Sequence, residues 1–230
     1  MYDTTSKTEL EGLKIDLLSD THSQHDRIIT KGGDILIHAG DISYRGTIKE
    51  VMPFLEWFEA QKYTHKILVA GNHDWLFEQT PEVCREECER RGIILLNDSG
   101  TEVEGIKIWG SPVQPEFCAW AFNRERGEKI KRHWDLIPND TELLITHGPP
   151  MNILDKTFHN EYVGCQDLWY KILETQVKLH VFGHIHEGRG HQYFMDRLFV
   201  NASAVDGRYR IVTGEPIRVV KGIDNTYLIE

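Results

Sequence analysis

The sequence lacks three features that would each point to a particular class of protein. No apolar run approaches the ~20 residues that a membrane-spanning helix needs. Four cysteines in 230 residues are too few for a disulfide scaffold, and reduced thiols suit a cytosolic protein. Positive charge is not in excess, because 26 Lys and Arg stand against 36 Asp and Glu, a net charge of −10. We therefore expect no membrane partner, and a nucleic acid polymer, which binds a basic face, is disfavoured.

No internal boundary is visible along the chain. Repeats, low-complexity tracts and Pro/Ser/Gly-rich linkers are all missing. The first residues, MYDTTSKTELEG, are polar and acidic and match neither a signal peptide nor an Arg-rich transit peptide. We expect a polar tail over residues 1–12, a single domain over residues 13–230 and a cytoplasmic location.

What the sequence does contain is an alternation of apolar runs and helical periods. The apolar runs that predict buried strands lie at residues 13–18, 34–38, 65–69, 142–146 and 178–182. The segments that predict helices are residues 47–61, 81–91, 123–134 and 162–175. Residues 93–109 are β-rich with turns at 99–100 and 104–105, and a strand pair is expected after Gly214. This order indicates an α/β protein with mixed sheets covered by helices.

Side chains that can bind a metal ion follow five of the predicted strands. In chain order they are Asp20, His22, Asp41, Asn72, His73, Asp74, His147, His184 and His186. Because loops at the carboxyl ends of α/β strands form the crevices in which ligands bind, we expect a shared site there. Carboxylate, imidazole and amide groups suit Mn²⁺, Fe or Zn²⁺ better than Ca²⁺, which prefers oxygen ligands alone.

The spacing of these residues suggests two adjacent ions. Residues two apart in an extended segment point the same way, so Asp20 and His22 can bind one ion together. The same holds for His184 and His186, although a turn between them could direct the two rings to neighbouring ions. With one carboxylate shared, the set fills two metal sites. Two ions ~3.5–4 Å apart can hold a bridging hydroxide that attacks phosphorus.

Five motifs, DTH, GD, GNHD, THGPP and GHIH, resemble in this order the signature blocks of the calcineurin-like metallophosphoesterases. The resemblance runs from Leu13 to about Ser203. The segments GDILIHAGD, GSPVQPEFCAWAFN, LITHGPP, KLHVFGHIHEG and VNAS resemble the metallophosphoesterase-domain-containing branch, which is similar to the class III cyclic nucleotide phosphodiesterases. The resemblance implies a four-layered α/β/β/α sandwich of two mixed β-sheets flanked by helices.

The resemblance also implies a dinuclear metal centre. The ligands that it assigns to the first ion are Asp20, His22 and His186. Those that it assigns to the second ion are Asn72, His147 and His184, and the residue that bridges both ions is Asp41. The expected cofactors are two divalent ions, with Mn or Fe ahead of Zn.

His73 is the catalytic residue that the resemblance implies. It would not bind metal but would contact the phosphate and protonate the leaving oxygen. Together with Asn72 and Arg45 it forms the expected substrate-binding set. The expected reaction is hydrolysis of a small phosphodiester, with cyclic nucleotides as the candidate substrates.

Two alternatives remain open. The first is a phosphomonoesterase or protein Ser/Thr phosphatase on the same metal centre. Such phosphatases carry a GDxxDRG run whose second Asp orients the catalytic His, and here Tyr44 replaces that Asp in GDISYRG. The second is a non-catalytic scaffold, which is disfavoured because no ligand residue has been lost. A nuclease is disfavoured by the net negative charge.

Several other residues are candidates for the site. Arg45, Arg124 and Arg126 are possible phosphate clamps or, alternatively, solvated surface charges. His38 is expected to be a buried residue that supports the ligands rather than a ligand itself. The aromatic residues expected mainly in the core, with one or two stacking on a base, are Trp75, Trp109, Trp120 and Phe122.

Overall fold

The computed structural model describes residues 12–230. Residues 1–11, which make up nearly all of the expected polar tail, lie outside the described residues. None of the helices formed by residues 12–230 has the length and apolar content to cross a bilayer.

Strands make up most of the regular structure of the described residues. The strands are β1 (Leu13–Leu18), β2 (Gly33–Ala39), β3 (Tyr63–Val69), β4 (Ile93–Leu95), β5 (Ser99–Val103), β6 (Ile106–Ser111), β7 (Gln114–Pro115), β8 (Asn123–Arg124), β9 (Leu143–Thr146), β10 (Leu179–Phe182), β11 (Gly190–Phe194), β12 (Arg197–Asn201), β13 (Ile217–Lys221) and β14 (Tyr227–Ile229). The α-helices are α1 (Ile48–Glu59), α2 (Trp75–Gln79), α3 (Pro81–Arg90), α4 (Glu128–Trp134) and α5 (Gln166–Leu173). Short 3₁₀ turns occur at His25–Arg27 and His186–Gly188.

Two mixed sheets of six strands form the centre of the fold. Their strand orders are β14–β13–β1–β2–β3–β4 and β11–β12–β10–β9–β6–β5. In the first sheet β1 to β4 are parallel, and β13 runs antiparallel to β1. In the second sheet β6, β9, β10 and β12 are parallel, and the edge strands β5 and β11 are antiparallel. The expected strand pair after Gly214 is present as β13 and β14.

A hydrophobic cluster fills the space between the two sheets. Ile35 and Ile37 of β2 lie in this cluster, whereas Leu36 between them faces the other side of the sheet, as the alternation of side chains along a strand requires. Ile108 of β6 and Val181 of β10 pack into the same cluster from the second sheet. The two sheets therefore stack face to face.

Two further clusters lie between the outer faces of the sheets and the helices. Leu36 packs with Phe54 of α1 on the first sheet. Phe182 packs with Trp134 of α4 and Leu168 of α5 on the second sheet. Three hydrophobic clusters thus separate four layers, and the predicted α/β/β/α sandwich is confirmed.

Helix α1 shows how local sequence positions the outer layer. It begins after Thr47, whose N–H donates to the Glu50 carboxylate at 3.1 Å, a capping contact that satisfies a backbone donor at the helix start. Val51, Phe54 and Phe58 are buried at the spacing of one helix face. The helix therefore turns its apolar side to the first sheet.

Three local predictions are wrong. Residues 99–100 begin strand β5, and the turn comes before them, where Asp98 has a φ of +46°. Helix α4 begins only at Glu128, because the preceding residues form β8, which pairs with β7. Helix α5 begins at Gln166 rather than at residue 162, because the Cys165 N–H donates to the Pro149 carbonyl at 3.0 Å and keeps this segment extended.

Candidate metal centre

The carboxyl ends of the two sheets are joined directly beside the candidate ligands. Ser19, which follows β1, donates its N–H to the Ala202 carbonyl (3.0 Å) and accepts from the Ala204 N–H (2.7 Å). Since β12 ends at Asn201, this bridge connects the first sheet with the second. The ligand-bearing loops of both sheets consequently meet at one edge.

Asp20, His22 and His186 form the first group of candidate ligands. The Nε2 atoms of His22 and His186 lie 3.3 Å apart. Asp20 Oδ1 lies 3.4 Å from His186 Nε2 and 3.9 Å from His22 Nε2. The Asp20 carboxylate also accepts from the Ser203 hydroxyl (2.9 Å) and the His184 N–H (3.0 Å). Both donors follow strands of the second sheet, so that sheet fixes the position of a carboxylate that follows β1 of the first.

Asp41, Asn72 and His147 come together beside that group. His147 Nε2 lies 2.8 Å from Asn72 Oδ1 and 3.4 Å from Asp41 Oδ2. Asp41 Oδ2 is also 3.7 Å from His22 Nε2, so this carboxylate lies between the two groups. The His184 ring is 5.0 Å from the His147 ring, measured between centroids. The structure therefore brings all seven expected ligands to one place.

The histidines at this place share one hydrogen-bonding pattern. In His22, His147 and His186, Nδ1 faces a backbone carbonyl, so Nδ1–H donates there and Nε2 is the atom left to bind a metal. The accepting carbonyls are those of Ser43 (3.2 Å), Ala39 (3.0 Å) and Asp206 (3.2 Å), respectively.

The resulting donor set fits a cation. The Nδ1–H groups of His22 and His186 face carbonyls, so their Nε2 atoms face each other across 3.3 Å. Two neutral rings would present lone pairs to each other here, an arrangement that needs a positive charge between them. Burial lowers the pKa of His186, but the Asp20 carboxylate outweighs it and raises this pKa, so a proton occupies the place that a metal ion would take. Within the described residues, oxygen and nitrogen atoms of Asp20, Asp41 and His147 likewise lie within 4.8 Å of one another. Mixed oxygen and imidazole ligands are those of Mn, Fe and Zn.

Burial and charge act in opposite directions on these groups. Burial lowers the pKa of His22 to about 4 and the pKa of His184 to about 3, so both rings are neutral, the form that binds metal. Burial also lowers the pKa of His147, but the Asp41 carboxylate outweighs it and raises this pKa to about 9. Burial raises the pKa of Asp41, yet His147 and His22 outweigh it and hold that pKa well below its usual range. A metal ion at His147 would therefore displace a proton.

Four of the candidate ligands have left-handed backbone conformations. Their φ angles are +52°, +41°, +55° and +68° for Asp20, His22, Asp41 and His184, respectively. Such angles are uncommon outside glycine, and strained residues of this kind cluster at functional sites. Sequence reasoning missed this feature, because no side-chain pattern encodes it at an Asp or a His.

Two glycines allow the loops to approach the ligands closely. A Cβ atom on Gly183 would lie 1.9 Å from Asp20 Oδ2, and one on Gly40 would lie 2.5 Å from His147 Nδ1. Gly40 also has a φ of +104°, which L-residues with a side chain rarely adopt.

Two buried residues support the loops from behind. His38 contacts the Thr21 hydroxyl (Nε2 to Oγ1, 3.0 Å) and accepts from the Gly40 N–H (3.3 Å), so it supports the ligand-bearing loops without touching a ligand carboxylate. The Asp74 carboxylate accepts from the N–H groups of Ser43 (3.0 Å) and Gly71 (2.8 Å). Sequence reasoning placed Asp74 among the candidate ligands, whereas its oxygens hold the loops after β2 and β3 together.

His73 lies beside the candidate ligands, with one ring nitrogen hydrogen-bonded to the backbone and the other directed towards Asp41. Its Nδ1–H donates to the Tyr44 carbonyl at 2.7 Å. Its Nε2 lies 4.0 Å from Asp41 Oδ2, and the side chain is 9% exposed. A backbone carbonyl thus orients this imidazole. The carbonyl belongs to Tyr44, the residue that stands where the GDxxDRG run has its second Asp.

A cavity of about 400 Å³ opens over the candidate ligands, a size that suits a small molecule. Its polar floor includes Asp41, Asn72, His73, His184 and His186. The aromatic and aliphatic side chains of its walls are those of Pro115, Phe117, Trp120, Pro149, Val163, Ile185 and Tyr209. Two carboxylates, from Glu116 and Glu187, also line it.

The three candidate arginines lie in different places. Arg126 lines the cavity, and its guanidinium donates to the carbonyls of Gly164 (2.8 Å) and Val163 (2.6 Å). Arg124 pairs with Glu78 at 3.3 Å and does not line the cavity. Arg45 is exposed in a separate surface depression next to α1 and α2, so the structure does not bring it into the cavity.

Of the aromatic candidates, Trp120 alone lines the cavity among the residues described. Trp75 and Phe122 pack in the cluster under the first layer of helices. Trp109 packs in the cluster under the second layer. Phe117 and Tyr209, which sequence reasoning did not single out, also line the cavity.

Comparisons with known proteins agree with this geometry. Residues 13–188 match the model of the calcineurin-like phosphoesterase family. The human Metallophosphoesterase domain-containing protein 1 is 39% identical over 218 residues, which cover 85% of this chain and 67% of that protein. A Caenorhabditis elegans protein named as a UPF0046 protein is 33% identical over 213 residues, which cover 87% of this chain and 73% of that one.

The fold is also similar to a solved structure. The phosphopantetheinyl hydrolase of Mycobacterium tuberculosis superposes with a TM-score of 0.59 at 16% identity, covering 86% of this chain and 92% of that one. At such low identity the similarity concerns the fold alone. The family match over most of the chain and the similarity to the human protein confirm the resemblance found in the motifs, and the chain belongs to the calcineurin-like phosphoesterase family.

Proposed function

We propose that the protein is a dinuclear metal-dependent phosphoesterase that hydrolyses phosphodiesters, with cyclic nucleotides as its substrate class. The observation that carries this proposal is the convergence of two groups of acceptors, joined by Asp41, at the floor of a cavity. Family membership supports the coarser statement, a hydrolase acting on phosphoesters.

Each ion has a proposed set of ligands. Those of the first ion are Asp20, His22 and His186, those of the second are Asn72, His147 and His184, and the carboxylate shared by both is that of Asp41. When bound, two such ions neutralise charge at phosphorus and lower the pKa of a water molecule, so that it can act as the nucleophile at neutral pH. Mn or Fe is proposed ahead of Zn, since all three accept this donor set.

His73 is the proposed general acid. As an imidazolium it keeps its Nδ1–H on the Tyr44 carbonyl and presents Nε2–H to the cavity. The attacking water gives one proton to bulk solvent and its oxygen forms a bond to phosphorus, while the bond from phosphorus to the leaving oxygen breaks. The Nε2 proton moves to that leaving oxygen, which departs as an alcohol.

The charge of the cavity favours a diester over a monoester. Of the described residues that line it, Arg126 is the single Lys or Arg, and its guanidinium is already bonded to two carbonyls. Glu116 and Glu187 add negative charge. The proposed ions would attract either ester, but among the described lining residues Arg126 alone could meet the second negative charge of a monoester, a charge that a diester does not carry. We therefore keep the phosphatase activity as the alternative.

The walls of the cavity favour a substrate with a planar apolar group. Phe117, which is 40% exposed, and Tyr209 present aromatic rings to this space. A nucleobase that stacks on such a ring gains ~1–3 kcal/mol. This is the reason for proposing a cyclic nucleotide. Asn72 and His73 would contact the phosphate, whereas a role for Arg45 would require its side chain to reach in from outside.

A cytoplasmic location and a single domain over residues 13–230 complete the proposal. All four cysteines are free thiols, which suits a reducing compartment. Both sheets share one hydrophobic cluster, which supports one folding unit.

The test compares bis-p-nitrophenyl phosphate with p-nitrophenyl phosphate, using protein stripped with a chelator and then supplied with Mn²⁺. We expect metal-dependent turnover with a preference for the diester. On a diester with a poorer leaving group, such as methyl phenyl phosphate, His73→Ala should lower kcat by ~10²–10⁴-fold, the usual contribution of a general acid, with the metal content unchanged. A preference for the monoester would establish the phosphatase alternative, and absence of turnover with metal bound would favour the scaffold.

A further inference from the structure

We propose that Trp120 is a positioning residue for His73: its indole fixes the plane of the imidazole and so directs Nε2 at the leaving oxygen. The inference rests on the proposed function, in which His73 donates a proton. It adds a residue outside the five motifs to the machinery of the reaction.

The two rings are in close contact with a moderate tilt. Their centroids are 4.1 Å apart and their planes differ by 31°, so the indole covers a face of the imidazole. The His22 ring also contacts this imidazole in an edge arrangement, at 4.7 Å between centroids and 82° between planes. His73 therefore contacts rings from two different loops.

The hydrogen bond of His73 cannot orient the ring by itself. The contact from Nδ1–H to the Tyr44 carbonyl constrains one distance, whereas the imidazole turns about two side-chain torsions, so the ring can still tilt while this contact is kept. A flat indole against the ring face opposes such a tilt, because tilting would drive one side of the imidazole into the indole. The direction of Nε2 is thus determined by the carbonyl and the indole together.

Trp120 is itself held in place by the loop that carries it, residues 115–123, which we call the aromatic loop. The buried Gln114 side chain donates to the Ala121 carbonyl at 2.7 Å and to Asn123 Oδ1 at 2.9 Å. The Ala121 N–H donates to the Asn72 carbonyl at 3.1 Å. The aromatic loop is therefore hydrogen-bonded to the same backbone segment that carries His73.

This role predicts a dependence on the leaving group. An alkoxide or phenolate leaves only with a proton, whereas p-nitrophenolate is stable enough to leave almost without one. Loss of the indole would misplace the Nε2 proton, and a displacement of about 1 Å can cost ~10²-fold in rate. The loss should fall on substrates that need the proton.

The experiment uses methyl phenyl phosphate and methyl p-nitrophenyl phosphate, which differ only in the leaving group. We expect Trp120→Ala to lower kcat for the phenyl ester by ~10²-fold with little change in KM, and to leave the p-nitrophenyl ester within about twofold of wild type. Trp120→Phe, which restores a flat ring, should recover most of the loss. The control is Trp57→Ala. Trp57 is another half-buried tryptophan, but it lies in α1, packs on Phe54 and does not line the cavity.

A double variant tests whether the two residues act as a unit. If Trp120 acts through His73, Trp120→Ala should have no further effect on kcat in a His73→Ala background. A further loss of the same size there would overturn the inference. So would an equal loss on both esters, or a rise in KM alone, since these indicate damage to the metal centre or a role in substrate binding.

Failure of this inference can be told apart from failure of the proposed function. If wild type turns over the phenyl ester and His73→Ala impairs it, but Trp120→Ala behaves like wild type, the positioning role is wrong and the proposed function stands. If His73→Ala itself has no effect on the phenyl ester, the general acid is wrong, and the positioning role is refuted with it.

Discussion

Mild acid should destabilise this protein through a histidine far from its surface. His180 lies in β10 and is fully buried. The Thr146 hydroxyl donates to the Gly148 carbonyl (2.7 Å), so it accepts from His180 Nε2–H (2.8 Å). Nδ1 of His180 is buried and has no hydrogen-bond partner within residues 12–230. Burial accordingly lowers the pKa of His180 to about 3.

The sign and size of the effect follow from this pKa. The ordinary value is 6.5, so the unfolded chain binds a proton first as the pH falls. The stability that His180 contributes is complete above pH 6.5 and is lost as the pH falls toward about 3. At ~1.4 kcal/mol per pH unit, a fall of two units below 6.5 should remove about 2 kcal/mol from the free energy of unfolding, because His180 of the unfolded chain is already half protonated at the starting pH.

Urea unfolding at pH 6.5 and two units lower measures this loss. A chelator in both buffers keeps metal release out of the comparison. His180→Gln, which still offers an N–H to the Thr146 hydroxyl, should lose about 2 kcal/mol less than wild type over the same pH range. The control is His191→Gln, since His191 is exposed on β11 and its replacement should leave the pH dependence unchanged. An equal loss in wild type and His180→Gln would refute the reasoning.

The remaining predictions concern the metal centre and the first sheet. Asp41→Asn should release metal, because removing a unit charge ~4 Å from a cation costs ~4 kcal/mol at an effective dielectric constant of about 20. Elemental analysis after gel filtration checks this, and two retained ions would contradict the bridging position. Gly183→Ala should lower the metal content while the thermal melt stays cooperative, since the new Cβ would lie 1.9 Å from Asp20 Oδ2; unchanged metal content would mean that the loop yields. Arg218→Met should lower the free energy of unfolding by ~3–5 kcal/mol, because the Asp16 carboxylate, only 2% exposed, loses two hydrogen bonds of 2.6 and 2.8 Å. Urea unfolding measures this change in the free energy of unfolding. An exposed ion pair contributes at most ~1 kcal/mol, so a smaller loss would show that water hydrates Asp16 in the variant.

The layers of the fold could be predicted because apolar runs determine them locally. Ile35, Leu36 and Ile37 are all buried, and an unbroken apolar run of this kind indicates a strand covered on both faces. The start of α4 could not be predicted from the same periodicity. Asn123 and Arg124 pair with β7 instead. This pairing depends on the path of the aromatic loop between the two strands and not on the helix or strand propensity of these residues.

The gathering of the candidate ligands could be predicted from their positions after strands. The roles of Asp74 and Trp120 could not. Asp74 sits in the GNHD motif like a ligand, yet its oxygens bind the amides of Ser43 and Gly71. Trp120 is separated from His73 by four strands and two helices, and only the folded chain brings their rings to 4.1 Å. The ligand function of the seven residues stays a prediction until metal is measured.

The junction between the sheets has a consequence for how the protein is made. The Asp20 carboxylate is bound by His184, 164 residues further along the chain, and by Ser203, 183 residues further along. Asp20 and His22 therefore leave the ribosome long before their partner His186 has been synthesised. During synthesis the early carboxylate and imidazole cannot form a complete ion site, however much metal the surroundings contain. In the proposed enzyme, the first ion can be retained only after His186 has been synthesised and the two sheets have packed together.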